Sequence, residues 1–176
     1  VDGSTIRDIA FKVDPLGSNI TLDGRDISYK KYIYLVMNKP EGVLTATEDK
    51  KQQTVIDLLP VELKMRDLFP VGRLDRNTTG MLIITNDGDF GHMLLSPVKK
   101  IPKRYYVELD GDISEEMPSR FSEGLTLVDG TKLSSALLEI GVSKDKCFVT
   151  ITEGKYHQIK RMFGLFGLGV NKLKRT

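Results

Sequence analysis

With 176 residues, a net charge of +2 and 28% charged residues, the chain suits one ordinary domain, with room for a fragment of another. The single cysteine, Cys147, excludes an internal disulfide and fits a reducing, cytoplasmic setting, and the two histidines, His92 and His157, lie far apart without a group of cysteine partners, which argues against a zinc site. No apolar run approaches the roughly 18 residues of a membrane span, and no secretory signal is visible.

Residues 1–28 read as a small β-rich piece, with turn signals at Asp14-Pro15-Leu16-Gly17 and Asp23-Gly24. A short link follows, without a Gly/Ser tract, and the main domain is expected over residues 29–176. Tyr32 to Met37 is aromatic and β-branched and predicts a buried strand ending at Asn38-Lys39-Pro40. Thr54 predicts the cap of a short helix over Val55–Leu59, stopped by Pro60. If Val71 to Asp75 is extended, Arg73 and Asp75 share one face and Leu74 takes the other. Gly42 and Gly80 read as turn residues, and the apolar run Met81–Thr85 as a strand buried on both faces. A short helix follows Gly88-Asp89 and ends before Pro97.

Alternation from Lys103 to Asp110 puts Lys103, Tyr105, Val107 and Leu109 on one face, with Arg104, Tyr106, Glu108 and Asp110 on the wetter one. Tyr105 should therefore point inward, where its ring offers a flat apolar surface and its hydroxyl needs a partner. Ser114, with two glutamates behind it, predicts a helix start. Ala136–Ile140 and Cys147–Thr152 predict a β-hairpin. Lys155 to Phe166 suits a helix whose apolar stripe is Ile159, Met162, Phe163 and Phe166, with Lys160 at the edge of that stripe. Strands outnumber helices, so the fold class is α+β: a mixed, largely antiparallel sheet with short helices packed on it.

Charge is unevenly spread. Lys155 to Thr176 carries six basic residues and no acidic one, and Lys99, Lys100, Lys103 and Arg104 form a second basic cluster. Solvated surface charge is one reading and a polyanion-binding surface the other.

Gly72-Arg73-Leu74-Asp75-Arg76-Asn77-Thr78-Thr79-Gly80, followed by an apolar strand and Thr85-Asn86-Asp87-Gly88-Asp89, resembles the catalytic motif of RNA pseudouridine synthases. The resemblance is to the RsuA-type branch, which acts on ribosomal RNA. Three further blocks occur in the same order: Asn38–Gly42, Lys103–Val107, and Glu153-Gly154-Lys155-Tyr156-His157-Gln158-Ile159-Lys160-Arg161-Met162. The last block is more similar to the enzymes of the small subunit, which implies a uridine of 16S ribosomal RNA, with large-subunit RNA as the alternative. The segment from Phe11 to Gly24 resembles the last strands of an S4 RNA-binding module. The chain has no initiating Met and stops in a basic run, so further residues are expected beyond both ends.

Converting uridine to pseudouridine breaks the N1–C1′ bond, turns the uracil and joins C1′ to C5. Nothing is oxidised and nothing leaves, so no cofactor or metal is expected. One carboxylate that adds to C1′, or stabilises the positive charge developing there, is sufficient in principle. The resemblance makes Asp75 that group, Tyr105 the tyrosine that stacks on the base and helps remove the C5 proton, and Lys160 the cation that pairs with Asp75 and favours its ionised form. It also implies that Arg73 enters the RNA stack when the nucleotide is extruded, and that Leu173 packs near the uracil. Lys103 belongs to the RNA-facing basic cluster, Arg161 is a phosphate contact or a surface charge, and Lys39-Pro40 shapes the pocket. The expected partner of this monomer is ribosomal RNA. The competing reading is a non-catalytic RNA-binding factor of ribosome assembly, which explains the basic clusters equally well.

Overall fold

A computed structural model describes residues 1–27, 29–64 and 66–176, which divide into two units, Val1–Ile33 and Tyr34–Thr176. In the first unit β1 (Ile20–Leu22) pairs antiparallel with β2 (Arg25–Ile27) across Asp23-Gly24. Both turn residues have positive φ, 50° and 74°, which matches a two-residue turn to the twist of its strands. The Asp14 turn forms as expected, with the Leu16 N–H donating to Asp14 Oδ1 at 3.0 Å. Phe11–Pro15 does not join a strand.

The second unit is built on a seven-stranded sheet: β3 (Tyr34–Lys39), β4 (Phe69–Pro70), β5 (Thr78–Thr85), β6 (Lys103–Leu109), β7 (Leu137–Ile140), β8 (Lys146–Ile151) and β9 (Val170–Arg175). The order is β3-β5-β9-β6-β8-β7, and β4 also pairs with β5. Only β5–β9 is parallel, so the sheet is mixed and largely antiparallel. Among the described residues four short α-helices accompany it: α1 (Val61–Lys64), α2 (Gly88–Leu95), α3 (Met117–Glu123) and α4 (Gln158–Gly164).

One face of the sheet carries the core. Leu82, Ile84, Val107 and Val149 are sealed from solvent, as are Met117 and Phe121 of α3 and Met162 and Phe163 of α4. The other face is open, with Val36 74% and Met81 37% exposed. This corrects the expectation that Tyr32–Met37 and Met81–Thr85 are wholly buried: an antiparallel sheet can leave one face to water.

Other local expectations shift for identifiable reasons. Thr54 and Asp57 bond each other reciprocally, Thr54 N–H and Oγ1 both donating to Asp57 Oδ2 at 2.8 and 3.0 Å. The segment nevertheless closes after a turn instead of forming a helix, because Pro60 ends it. The helix expected from Ser114 begins three residues later, at Met117. The helix α2 is as expected, capped by Asp87, which accepts from the Phe90 N–H at 3.0 Å. Gly80 is not a turn residue. It lies inside β5 with φ 103°, and a Cβ there would meet the Arg175 carbonyl oxygen of β9 at 2.0 Å. Only glycine allows that backbone approach. Gly42 does sit in a turn, with φ 84°.

Candidate active site

The edge of β5 opposite β3 is shared by two strands. The segment β4 pairs near Ile84 and Thr85, while β9 pairs at Thr78–Gly80. Between these contacts the chain peels off at Gly72, with φ 82°, and residues 72–77 loop over the gap. These residues are not a strand, yet the expected alternation survives: Leu74 is buried, Arg73 is exposed and Asp75 is half-buried.

The loop is fixed by its backbone. Thr45 Oγ1 donates to the Leu74 carbonyl at 2.8 Å and accepts from the Leu74 N–H at 3.2 Å. The Gly42 N–H reaches the Arg76 carbonyl at 2.9 Å, and the Thr78 N–H reaches that of Asp75 at 3.0 Å. Lys39, completely buried, donates from Nζ to the carbonyls of Pro40, Arg76 and Thr78 at 3.0, 3.1 and 3.0 Å. Burial lowers the pKa of that ammonium, while Asp75 and Glu41 pull it back up. Two of the three carbonyls, those of Arg76 and Thr78, lie one and three residues beyond Asp75, so an ammonium at the end of β3 fixes the loop just after the carboxylate.

Asp75 is contacted on both oxygens. Lys160 Nζ lies 3.8 Å from Oδ2, and His157 Nε2 lies 3.5 Å from Oδ1. Both side chains of the Lys160–Asp75 pair keep about a third of their surface exposed, 32% and 31%. The expected pair is thus present but partly open to solvent, and its strength is smaller than that of a buried pair. Sequence reasoning missed His157. The helix expected from Lys155 starts only at Gln158, and His157 before it adopts φ 47°, ψ 34°. That left-handed conformation accompanies an imidazole turned to Asp75 and stacked on Tyr156 at 3.9 Å. A lone histidine before a helix pattern gave no local signal for this turn.

Tyr105 points inward on β6, 8% exposed, and Tyr106 outward. Burial raises the Tyr105 phenol above its ordinary pKa, with nearby Arg175 acting in the opposite sense and Asp75 reinforcing the rise. Across the sheet Leu173 pairs in register with both Thr78 of β5 and Val107 of β6. Arg73, Asp75, Thr78, Tyr105, Ile159 and Leu173 line one open pocket. Lys103 lines the adjoining hollow with Arg73 and Arg175, its own pKa lowered by burial and by Arg175. Arg161 does not line the pocket: its guanidinium pairs with Asp129, whose carboxyl is held at about 2, chiefly by Thr131 and then by Arg161. The pocket thus joins one oriented carboxylate, one aromatic ring and an apolar wall, which suits a planar heterocycle with an electrophilic carbon beside the carboxylate. Among the described residues no cluster of acidic, histidine or cysteine side chains could hold a metal ion.

Residues 33–164 match the family model for RNA pseudouridylate synthase. The uncharacterized RNA pseudouridine synthase YtzG of Bacillus subtilis is 46% identical over 178 residues, covering 99% of this chain and 74% of its own length. The ribosomal small subunit pseudouridine synthase A of Vibrio cholerae is 39% identical over 176 residues, covering 99% and 75%. A crystal structure of a pseudouridylate synthase superposes with a TM-score of 0.77 at 28% identity, covering 99% of this chain and 74% of that one.

Proposed function

Because this chain belongs to the RNA pseudouridylate synthase family, and is an RNA pseudouridine synthase, we propose that its substrate is a uridine of 16S ribosomal RNA and that Asp75 acts at C1′ of that nucleotide. The similarity to the small-subunit enzyme of Vibrio cholerae, at 39% identity over nearly the whole chain, supports the choice of RNA. The observation that carries the catalytic assignment is the carboxylate of Asp75, gripped at one oxygen by His157 and the other by Lys160 at the mouth of a pocket walled by Tyr105 and Leu173.

A stacked uridine cannot reach such a pocket, so the nucleotide is extruded, at a cost of a few kcal/mol. Arg73, exposed beside Asp75, is positioned to fill the vacated stack. The uracil lies between Tyr105 and Leu173, and the carboxylate adds to C1′ or stabilises its developing positive charge as the N1–C1′ bond breaks. The ring turns, C5 bonds to C1′ as the Asp75 carboxylate is released from that carbon, C5 gives up its proton and N1 gains one, so the product is an isomer of the substrate. Burial keeps the Tyr105 phenol protonated near neutral pH. Its role is therefore stacking, with proton removal from C5 only as its own proton is passed on. Lys39-Pro40 and the Lys103 cluster complete the proposal as loop support and phosphate contacts. The β1–β2 hairpin is read as the end of an S4 module, and a ribosomal substrate places the working protein in the cytoplasm.

The test is Asp75→Asn, assayed by tritium release from 5-tritiated uridine in 16S and 23S transcripts. The expected result is loss of isomerisation with RNA affinity retained, and release from 16S RNA by the parent protein. Lost binding with unchanged turnover of the remaining complex would refute the role of Asp75, and release from 23S RNA alone would refute the substrate.

A further inference from the structure

Buried hydroxyls around the catalytic loop are matched with partners, with one exception. Thr54 Oγ1 donates to Asp57, and Thr45 Oγ1 serves both backbone groups of Leu74. Thr78, the first residue of β5, is 2% exposed, and its backbone is fully engaged: N–H to the Asp75 carbonyl, carbonyl to Lys39 Nζ. Its Oγ1 is buried and has no hydrogen-bond partner, although the residue lines the pocket with Asp75, Tyr105 and Leu173. The other unpaired buried side-chain atom among the described residues is Arg175 Nε, on the β9 residue that pairs with Gly80, two positions beyond the Thr78–Leu173 pair.

An unpaired buried hydroxyl destabilises the free protein. Valine would occupy the same β-branched volume and suit a strand better. A threonine in that position makes physical sense when a ligand completes it. We infer that Thr78 Oγ1 hydrogen-bonds the extruded uridine at a polar group flanking the glycosidic bond, and so acts as a further specificity-determining residue for the isomerisation. The location selects the group. Thr78 is bonded through its N–H to Asp75, the residue that addresses C1′, and is paired in register with Leu173, the wall for the base. The polar groups between a sugar carbon held by Asp75 and a uracil held by Leu173 are the ribose 2′-OH, on the carbon next to C1′, and uracil O2, on the carbon next to N1. A hydroxyl can both donate and accept, so it serves either. This inference rests on the assignment of Asp75 above.

The experiment compares Thr78→Val and Thr78→Ser with the parent protein and Asp75→Asn. Each is tested on a 16S transcript carrying uridine, 2′-deoxyuridine or 2-thiouridine at the target position. The expected Thr78→Val protein melts at the same temperature or a few degrees higher, yet its kcat falls roughly tenfold to a hundredfold with KM for RNA little changed. Thr78→Ser restores most of that loss. In the parent protein one of the two nucleotide substitutions costs a similar factor, and in Thr78→Val that same substitution costs nothing further; which of the two behaves so identifies the group contacted. Undiminished turnover of Thr78→Val overturns the inference. So does equal impairment of the valine and serine variants, or full additivity with both modified nucleotides. Continued isomerisation by Asp75→Asn would instead strike the catalytic assignment, leaving the thermal result for Thr78→Val standing.

Discussion

Replacing Lys39 by methionine keeps most of the side chain's length and volume and removes only the ammonium. In the native protein that group donates three hydrogen bonds at 3.0, 3.1 and 3.0 Å from a completely buried position. Charged hydrogen bonds contribute about 1.5–3 kcal/mol each, so the gross loss is roughly 5–9 kcal/mol. Two terms offset it. The variant no longer pays the several kcal/mol needed to strip an ammonium of water, and the Arg76 carbonyl keeps its second donor, the Gly42 N–H at 2.9 Å. A net destabilisation of about 2–4 kcal/mol remains. The functional effect should be disproportionate, because the released carbonyls of Arg76 and Thr78 lie one and three residues beyond Asp75. A carboxylate displaced by about 1 Å can lose on the order of a hundredfold in rate. Urea denaturation gives the first number and single-turnover isomerisation the second, with RNA affinity as the control. An unchanged urea midpoint would show that the three bonds are not formed in solution. Lowered stability with an unchanged rate would show that Thr45 and Gly42 hold the loop unaided.

Gly80→Ala should be severely destabilising, by more than about 4 kcal/mol, because its methyl would meet the Arg175 backbone at 2.0 Å; soluble yield and urea midpoint test this, and a near-native protein would contradict the close β5–β9 approach. His157→Gly should change stability by no more than about 1 kcal/mol, since glycine adopts φ 47° freely. Its kcat should fall at least about tenfold as Asp75 loses one partner, with His157→Gln recovering part of the loss; equal activity of the glycine variant would remove His157 from the site. Cys147, sealed in the core, has its thiol pushed up by burial from 9.0 to about 12. The native state therefore holds its proton while the unfolded chain releases it, and stability falls as the pH rises through 9 to 12. Cys147→Ala should lose less stability than the parent over that range, and native Cys147 should resist thiol reagents at neutral pH until urea is added.

The tyrosine pair on β6 illustrates what was legible in the residues. Alternating polarity over Lys103–Leu109 assigned Tyr105 to the packed face, and burial follows that alternation. Leu74 between Arg73 and Asp75 behaves the same way even without strand pairing, because one buried leucine is enough to orient its neighbours. The Lys160 position at the edge of an apolar stripe likewise brought it to the carboxylate. Helix limits were less legible. Thr54 found its partner in Asp57, but one reciprocal cap cannot sustain a helix when proline follows so soon.

Periodicity and residue chemistry determined which face each side chain takes, since those preferences act within a few neighbouring residues. Pairings across distant segments were decided only by the folded chain. The parallel contact of β5 with β9 brings Thr78 against Leu173, and Gly80 is read correctly only once Arg175 lies across it. The same closure turns His157 onto Asp75, 82 positions earlier in the chain. No local window contains both partners of such a contact, so neither the turn at His157 nor the unpaired hydroxyl of Thr78 has a signature in the sequence by itself.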